Sequence, residues 1–558
     1  MDSQRLILFF VFSFSLFMLV DAWHRDQQPA QSRPPVTGTA QKDAGLPAPS
    51  EKLAPPPPVP AAGPQAPAGG GLSSGSVVTV DTDLFRAEIS TTGGDLRTLE
   101  LKQHRDTEDK QRNFLLFEQR PDHVYIAQSG LIGGDLPTHR TQYSTQSTQY
   151  KLADGSDSVE VRLEAPPVNG VKVTKVYRFN RGTYVIDVSF EIANGGSAPV
   201  QAYGYFQFLR DDKPPVGDSA MLPTFTGVGV YTEKDKFHKV TFADIEKGKA
   251  SYPKTSEDGW VAMLQHYFLG AWLPKNGTPR EFYIRRVDNL NAAGVIVPAP
   301  AVQPGATGTV SVPLYAGPQE QDKLAKLAPG LDLSVDYGWL TIIAVPLFWL
   351  LSWFYHWVGN WGVAIIILTV IIKLLFYPLS EASYRSMAKM RVLAPKLQRL
   401  KEQYGDDRQR MQQAMMELYK TEKINPLGGC LPIVVQIPVF IALYWVLLAS
   451  VELRHAPFML WINDLSRPDP WFILPVLMGA TMIIQTRLNP EPPDPVQAKV
   501  MKIMPIAFSV FFFFFPAGLV LYWLVNNVLS ILQQWNINRV LEKANLAPPR
   551  KPKPSKPS

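Results

Sequence analysis

The feature that most constrains this chain is how sharply its charge is segregated. Residues 339–358, 361–377, 431–451, 471–486, 503–515 and 517–532 are apolar runs, and basic residues gather between them. Only 19% of the 558 residues are charged and 46% are hydrophobic, with a formal net charge of +6. A wholly disordered chain is excluded, and uncharged runs joined by basic connectors are membrane-protein patterning. Another apolar run, residues 6–20, follows Arg5. Val20-Asp21-Ala22 weakly fits a small-residue cleavage site, so a signal peptide and an uncleaved anchor stand about equal. Either sends the following residues across the membrane.

Residues 29–71 hold Pro55-Pro56-Pro57-Pro58 and Gly69-Gly70-Gly71 among many alanines. They read as a solvated tether. From residue 76 to 317 the pattern becomes period-two, as in Val159-Glu160-Val161-Arg162-Leu163 and Tyr184-Val185-Ile186-Asp187-Val188. Turns such as Asn194-Gly195-Gly196 and Lys275-Asn276-Gly277 separate the strands, predicting one large antiparallel β-sandwich. Asp211-Asp212-Lys213 reads as a solvated turn and His266 as a partly buried histidine; neither makes a catalytic constellation. Residues 318–330 predict a short helix ending at Pro329-Gly330.

Ten Lys/Arg residues lie in 380–424, which places that segment in the cytoplasm. An odd number of crossings must then separate it from the external β domain. The expected organisation is an anchor (1–22), a tether (23–75), a periplasmic β domain (76–330) and an interfacial Trp-rich amphipathic helix (331–358). A span (359–379), a cytoplasmic helical hairpin (380–425) and a second span (426–450) follow. A periplasmic loop (451–470), a span (471–487), a cytoplasmic loop (488–500), two spans (501–515, 516–538) and a basic cytoplasmic tail (539–558) complete it. With the anchor retained this makes six transmembrane helices. Sixteen helical residues reach about 24 Å against a hydrocarbon core of about 30 Å, so the shortest spans predict local bilayer thinning.

Chemistry is sparse. Cys430 is the single cysteine, so neither an intrachain disulfide nor a structural thiolate zinc site can form. No HExxH, GxxxxGK[ST] or helix-opening GxGxxG occurs, so no metal or cofactor is expected and a nucleotide-driven pump is disfavoured. The sharpest single residue is Lys373. An intramembrane cation costs about 2.5–3.5 kcal/mol on insertion scales and marks a functional position; the alternative is snorkelling to cytoplasmic water past Pro378. Thr369 lies one turn earlier, Gln436 in the 426–450 span, and Asn526, Asn527, Ser530, Gln533 and Gln534 in the last. These groups must face protein or water rather than lipid. They read either as interhelical hydrogen bonds or as a hydrated groove around Lys373. In the hairpin, Met390, Leu393, Leu397, Leu400 and Tyr404 form a helical seam, Gly405 supplies a stop and Asp406-Asp407 an N-cap. Met387, Met390, Met411 and Met415 suit adaptable apolar contacts. The tail cations, including Arg550, Lys551, Lys553 and Lys556, suit rRNA phosphates.

Several motifs together resemble the YidC membrane protein insertases of Gram-negative bacteria. They are Tyr377-Pro378-Leu379, Ser386-Met387-Ala388-Lys389-Met390, Asn425-Pro426-Leu427-Gly428-Gly429-Cys430 and Phe515-Pro516 with Gly518-Leu519-Val520-Leu521-Tyr522. The resemblance implies an uncleaved first helix, a periplasmic β-supersandwich and a five-helix core. It implies a hydrophilic groove open to cytoplasm and lipid, holding Lys373, Thr369, Gln436, Asn526 and Gln533. Lys373 stands where the family usually has arginine; it keeps the charge and loses the planar fork. Ile437, Phe440, Phe511, Phe515 and Trp523 match the face that meets an incoming helix, with tyrosine commoner at position 523. Trp461 and Tyr522 belong to core structure. No bond chemistry is expected. The implied partners are nascent membrane proteins, the ribosome, the Sec translocon and inner-membrane lipids. An ion-coupled transporter would need further intramembrane acids and inverted repeats, and neither appears. A sugar-binding or sugar-modifying β domain would need convergent acids, and the sequence leaves that alternative open.

Overall fold

The computed structural model describes residues 47, 75–215, 224–405, 407–421, 431–488 and 495–543. The expected anchor, nearly all of the tether, the Asn425–Cys430 motif and the tail residues Arg550, Lys551, Lys553 and Lys556 lie outside the described residues, as do the side chains of Met387 and Met390. The described chain forms two compact units, which divide between Asp336 and Tyr337.

In the first unit, strands from Val77–Asp81 to Thr307–Pro318 build a ten-stranded and a nine-stranded sheet. Strand Val185–Asn194 shows why: Ile186, Val188, Phe190 and Ile192 are fully buried and alternate with less buried residues, the period-two pattern of a sheet with one face in the core. It pairs antiparallel with Val171–Asn180 and Thr307–Pro318. Strand Tyr203–Arg210 is buried at every position, as expected of a central strand covered on both faces. One pairing departs from the antiparallel expectation: Val77–Asp81 runs parallel to Gln149–Lys151. Asp211 also departs from the solvated-turn reading. It is buried and accepts hydrogen bonds from the Val124 and Lys213 amides, with the His123 ring 2.9 Å away. Helix α1 (Phe242–Glu246) is capped by the Thr241 hydroxyl, and α2 (Gln321–Leu327) occupies the segment expected to be helical, before Gly330 in the left-handed region.

The second unit is helical: α3 (Thr341–Val358), α4 (Trp361–Leu375), α5 (Tyr377–Tyr404), α6 (Arg408–Thr421), α7 (Leu431–Ala449), α8 (Ile473–Leu488), α9 (Pro495–Phe511) and α10 (Ala517–Lys543). α10 packs against α4, α5 and α8, and α3 against α4. Pro378 sits in the first turn of α5 and disfavours helix in the residue before it. The axis accordingly bends by 60° between α4 and the start of α5, and the expected 359–379 span breaks at Phe376. The Asp407 carboxylate caps α6 by accepting from the Arg410 amide. Gly405 remains right-handed (φ −53°), so the hairpin turn rests on that cap rather than on a glycine stop. α10 continues to Lys543 and takes in the start of the expected tail.

Six crossings do not follow from helix length. Among the described residues, α3 is long and apolar enough to cross a membrane by length and composition, and α4 with Tyr377–Ser386 qualifies as a bent pair. The helix expected to lie along the interface is thus the one with the length and composition of a span. Val435–Ala449 and α8 are shorter apolar helices.

Candidate functional site

Lys373 lies in the last turn of α4, where the negative end of the helix dipole favours a cation. The helix starts at Asn360, whose side-chain oxygen accepts from the Val363 amide (3.1 Å). Uncharged and, apart from Thr369, apolar residues then fill it until Lys373, which is only 7% exposed. Its Nζ turns inward and donates to Ser530 Oγ on α10 at 2.8 Å. This is not the geometry of a side chain snorkelling to water.

From Ser530 the polar atoms continue along α10. Ser530 Oγ donates to the Asn526 carbonyl (2.8 Å), and Asn526 Oδ1 accepts from Gln436 Nε2 on α7 (2.7 Å). Gln533, one turn beyond, donates to the Lys373 carbonyl at 3.4 Å. Four of the five expected groove residues, Lys373, Gln436, Asn526 and Gln533, therefore join one chain of hydrogen bonds across three helices. Thr369 does not join it. Its hydroxyl donates back to the Ile365 carbonyl of its own helix (2.6 Å) and is buried, the usual recourse of a mid-helix threonine. Among the described residues, no carboxylate lies within ion-pair distance of Lys373, so its charge is answered by a hydroxyl and neighbouring dipoles.

The five residues expected to meet a client divide in two. Ile437 and Phe511 are exposed, at 47% and 45%. Phe440, Phe515 and Trp523 instead form an aromatic cluster: Trp523 stacks on Phe440 (4.3 Å) and meets Phe512 edge-on (4.1 Å), and Phe515 is buried against Phe511 and Phe512. Tyr522 is buried beneath Phe440 at 5.8 Å. Met411 and Met415 on α6 are half-buried.

Sequence reasoning passed over the residues that hold α4 and α10 in place. In the 451–472 connection, Asp469 Oδ1 accepts from Trp461 Nε1 (2.9 Å) and the Trp471 amide (3.1 Å), and Asp469 Oδ2 from the Leu474 amide (2.7 Å). Asp464 accepts from the His455 and Ser466 amides. Burial opposes its ionisation, but hydrogen bonds from His455 and Ser466 hold its carboxyl below the usual range. The connection grips both helices. Asn360 Nδ2 donates to the Phe458 carbonyl (2.8 Å), and the Ala517 and Gly518 amides donate to the carbonyls of Arg467 and Leu465. Asp464 and Asp469, carboxylates close after the uncharged stretch 456–463, were the available signal. Ser530 was visible as a polar residue of the last span, but its pairing with Lys373 needed the packing of α4 on α10.

Residues 77–350 match the model of the YidC periplasmic domain, and residues 353–544 that of the 60Kd inner membrane protein. A protein named membrane protein insertase YidC from Nitrosospira multiformis is 59% identical over 559 residues, covering 97% of this chain and 98% of the relative. Another, from Methylobacillus flagellatus, is 57% identical over 551 residues and covers 98% of both chains. A solved structure of an active YidC insertase is 18% identical, covers 83% of this chain and 92% of its own, and superposes with a TM-score of 0.38. By identity over its whole length, the chain belongs to the YidC family of inner-membrane protein insertases, which carry a periplasmic domain.

Proposed function

We propose that this protein inserts hydrophobic segments of nascent proteins into the inner membrane and helps them fold, without bond chemistry, through a polar groove centred on Lys373. The observation that carries the reading is a buried cation whose hydrogen-bond acceptor is neutral. A lysine held this way, with no carboxylate among its described neighbours, suits a transient anion. A client's short polar terminus must be desolvated on its way across. Lys373 and the chain through Ser530, Asn526 and Gln436 offset part of that cost, most of all for an acidic terminus. Partition of about 20 apolar residues into hydrocarbon then drives the step. Ile437 and Phe511 are the exposed side chains the passing helix meets; Phe440, Phe515 and Trp523 back them.

Within this reading the first run is an uncleaved anchor, the β unit faces the periplasm, and the α5–α6 hairpin and the basic tail lie in the cytoplasm. There they receive the ribosome and its nascent chain, and the protein acts alone or beside the Sec translocon. The test is reconstitution with a short single-span client bearing an acidic terminus, scored by protease protection. Wild type should protect above empty liposomes, and Lys373→Glu should fail more than Lys373→Ala. Equal insertion by all three would remove Lys373 from the mechanism, and no protection by wild type would remove autonomous insertion.

A further inference from the structure

We propose that the connection between α7 and α8 is a rigid membrane-surface wedge, with Met459, Leu460, Trp471 and Phe472 embedded in the lipid interface. The connection is built inside out for a solvated loop. Two of its three carboxylates are buried, Asp464 at 8% and Asp469 at 1% exposure, and Glu452 is half-buried, while Leu460 is 80% exposed, Trp471 68%, Met459 50% and Phe472 44%. Residues 456–463 contain no charged side chain. Leu460 and Phe472 both adopt left-handed backbone (φ 56° each). Bulky residues rarely hold that conformation unless the surroundings over-determine it. Here the surroundings do so. The Phe458 amide donates to the Ile462 carbonyl (3.0 Å) and the Ile462 amide to the Met459 carbonyl (3.1 Å), closing a tight turn with Leu460 at its apex. Its base is fixed as well: Phe458 packs so closely on Gly362 that a Cβ there would clash with the ring.

A floppy apolar loop would fold its side chains back onto the protein. This one is held open by hydrogen bonds at the cost of backbone strain. The apolar strip is also continuous with a helix face, since Phe472 leads into Val476 (56% exposed) and Leu477 (46%) on α8. The Trp461 and Trp471 rings stack in parallel, with centroids 6.3 Å apart and planes 4° apart. Amphipathic indoles at the end of an apolar helix belong at the headgroup level of a bilayer. The lipid surface is therefore the occupant that fits. The inference rests on reading α7 and α8 as membrane-embedded helices.

The experiment uses the full chain in phosphatidylethanolamine/phosphatidylglycerol vesicles, in a Cys430→Ser background. A single environment-sensitive fluorophore is attached through Leu460→Cys, Val476→Cys or Asp154→Cys, the last on the exposed surface of the β unit. Quenching is read with aqueous iodide and with lipids carrying nitroxides at shallow or deep positions. The expected result is that the label at 460 is several-fold less quenched by iodide than the label at 154, and most quenched by shallow nitroxide. The label at 476 should be most quenched by deep nitroxide. Iodide quenching at 460 equal to that at 154, with 476 still quenched by lipid, overturns the wedge and leaves the spanning helices standing. Shielding at 460 from both iodide and lipid means that protein covers the tip and also overturns it. Loss of lipid quenching at 476 as well removes the spanning reading along with the wedge.

Discussion

Two buried lysines separate the two units of the molecule. Lys175, in the β unit, is fully buried, and its Nζ donates to the carbonyls of Gly93 and Ser129, each at 3.1 Å. The charge of Asp95 opposes the burial that pushes this lysine down to about 8, and the same burial pushes the Asp95 carboxyl up to about 6. Asp95 in turn ends a ladder that runs from Tyr283 to Gln207 to Gln128 to Asp95, with links of 2.8–2.9 Å. Lys373, in the helical unit, is almost as buried but has a hydroxyl for an acceptor and no carboxylate among its described neighbours. A cation buried beside an anion is an internal matter of the fold. A cation buried beside neutral groups is available to something that arrives.

The largest effect that would sharpen this contrast is on stability. Lys175→Ala strands the buried Gly93 and Ser129 carbonyls, empties the space of the side chain and leaves Arg97, 3.8 Å away, as the cation beside Asp95; it should cost about 3–5 kcal/mol, read as faster hydrogen exchange in the β strands of the full chain. Insertion by the folded fraction should be unchanged; a loss of insertion by folded protein would break the division of labour.

Next comes pH. Burial first, then the charges of Arg140, Lys175, Arg285 and Arg97, push His139 down to about 4. Its neutral ring is 2.6 Å from the Tyr205 hydroxyl. A histidine with a depressed folded pKa contributes stability that is full above the unfolded value, near 6.5, and is lost as pH falls toward the folded one. Acidification from 6.5 to 4 should therefore cost the β unit about 3 kcal/mol through this group. His139→Gln should flatten that segment of the exchange profile; an unaltered slope would contradict the assignment.

Lys373→Met reverses the pattern of Lys175. Removing a buried cation that has no carboxylate among its described neighbours should leave thermal stability in detergent unchanged or raise it by up to about 2 kcal/mol, while insertion of an acidic-terminus client falls. Destabilisation by several kcal/mol would make Lys373 a structural group like Lys175. Ser530→Ala removes the hydroxyl that accepts from Lys373 and donates to the Asn526 carbonyl, and should weaken insertion by about 2 kcal/mol or less. Thr369→Val, whose hydroxyl serves its own helix, should change insertion least of all.

The β unit was legible in the sequence because alternation and glycine turns are local signals, and strand Val185–Asn194 follows its alternation residue by residue. The one parallel pairing among the described strands was not, because Val77–Asp81 and Gln149–Lys151 are joined by register rather than by any local pattern. In the helical unit, Asp407 marked the start of α6; Pro378 carried a signal for the break after α4, but the expected 359–379 span ran through it. The spans were less legible, because an apolar run does not fix helix length: the Trp-rich α3 is long enough to cross, whereas α8 is a shorter apolar helix. Lys373 stood out as a charge in an apolar run, and Asn526, Gln436 and Gln533 as polar residues in others. That Ser530 meets Lys373 while Thr369 does not depends on helix rotation. That Phe440, Phe515 and Trp523 pack on one another likewise follows only from the packed helices.

The most direct test of the central claim exchanges charge between the protein and its client. Wild type and Lys373→Glu would each be reconstituted with two versions of one single-span client, differing only in an acidic or a basic terminus. If the buried charge greets the terminus, wild type should favour the acidic client and Lys373→Glu should lose that preference or reverse it. If Lys373→Glu lowers both clients by the same factor, or neither, Lys373 does not act through its charge on the terminus, and the groove mechanism proposed here is wrong.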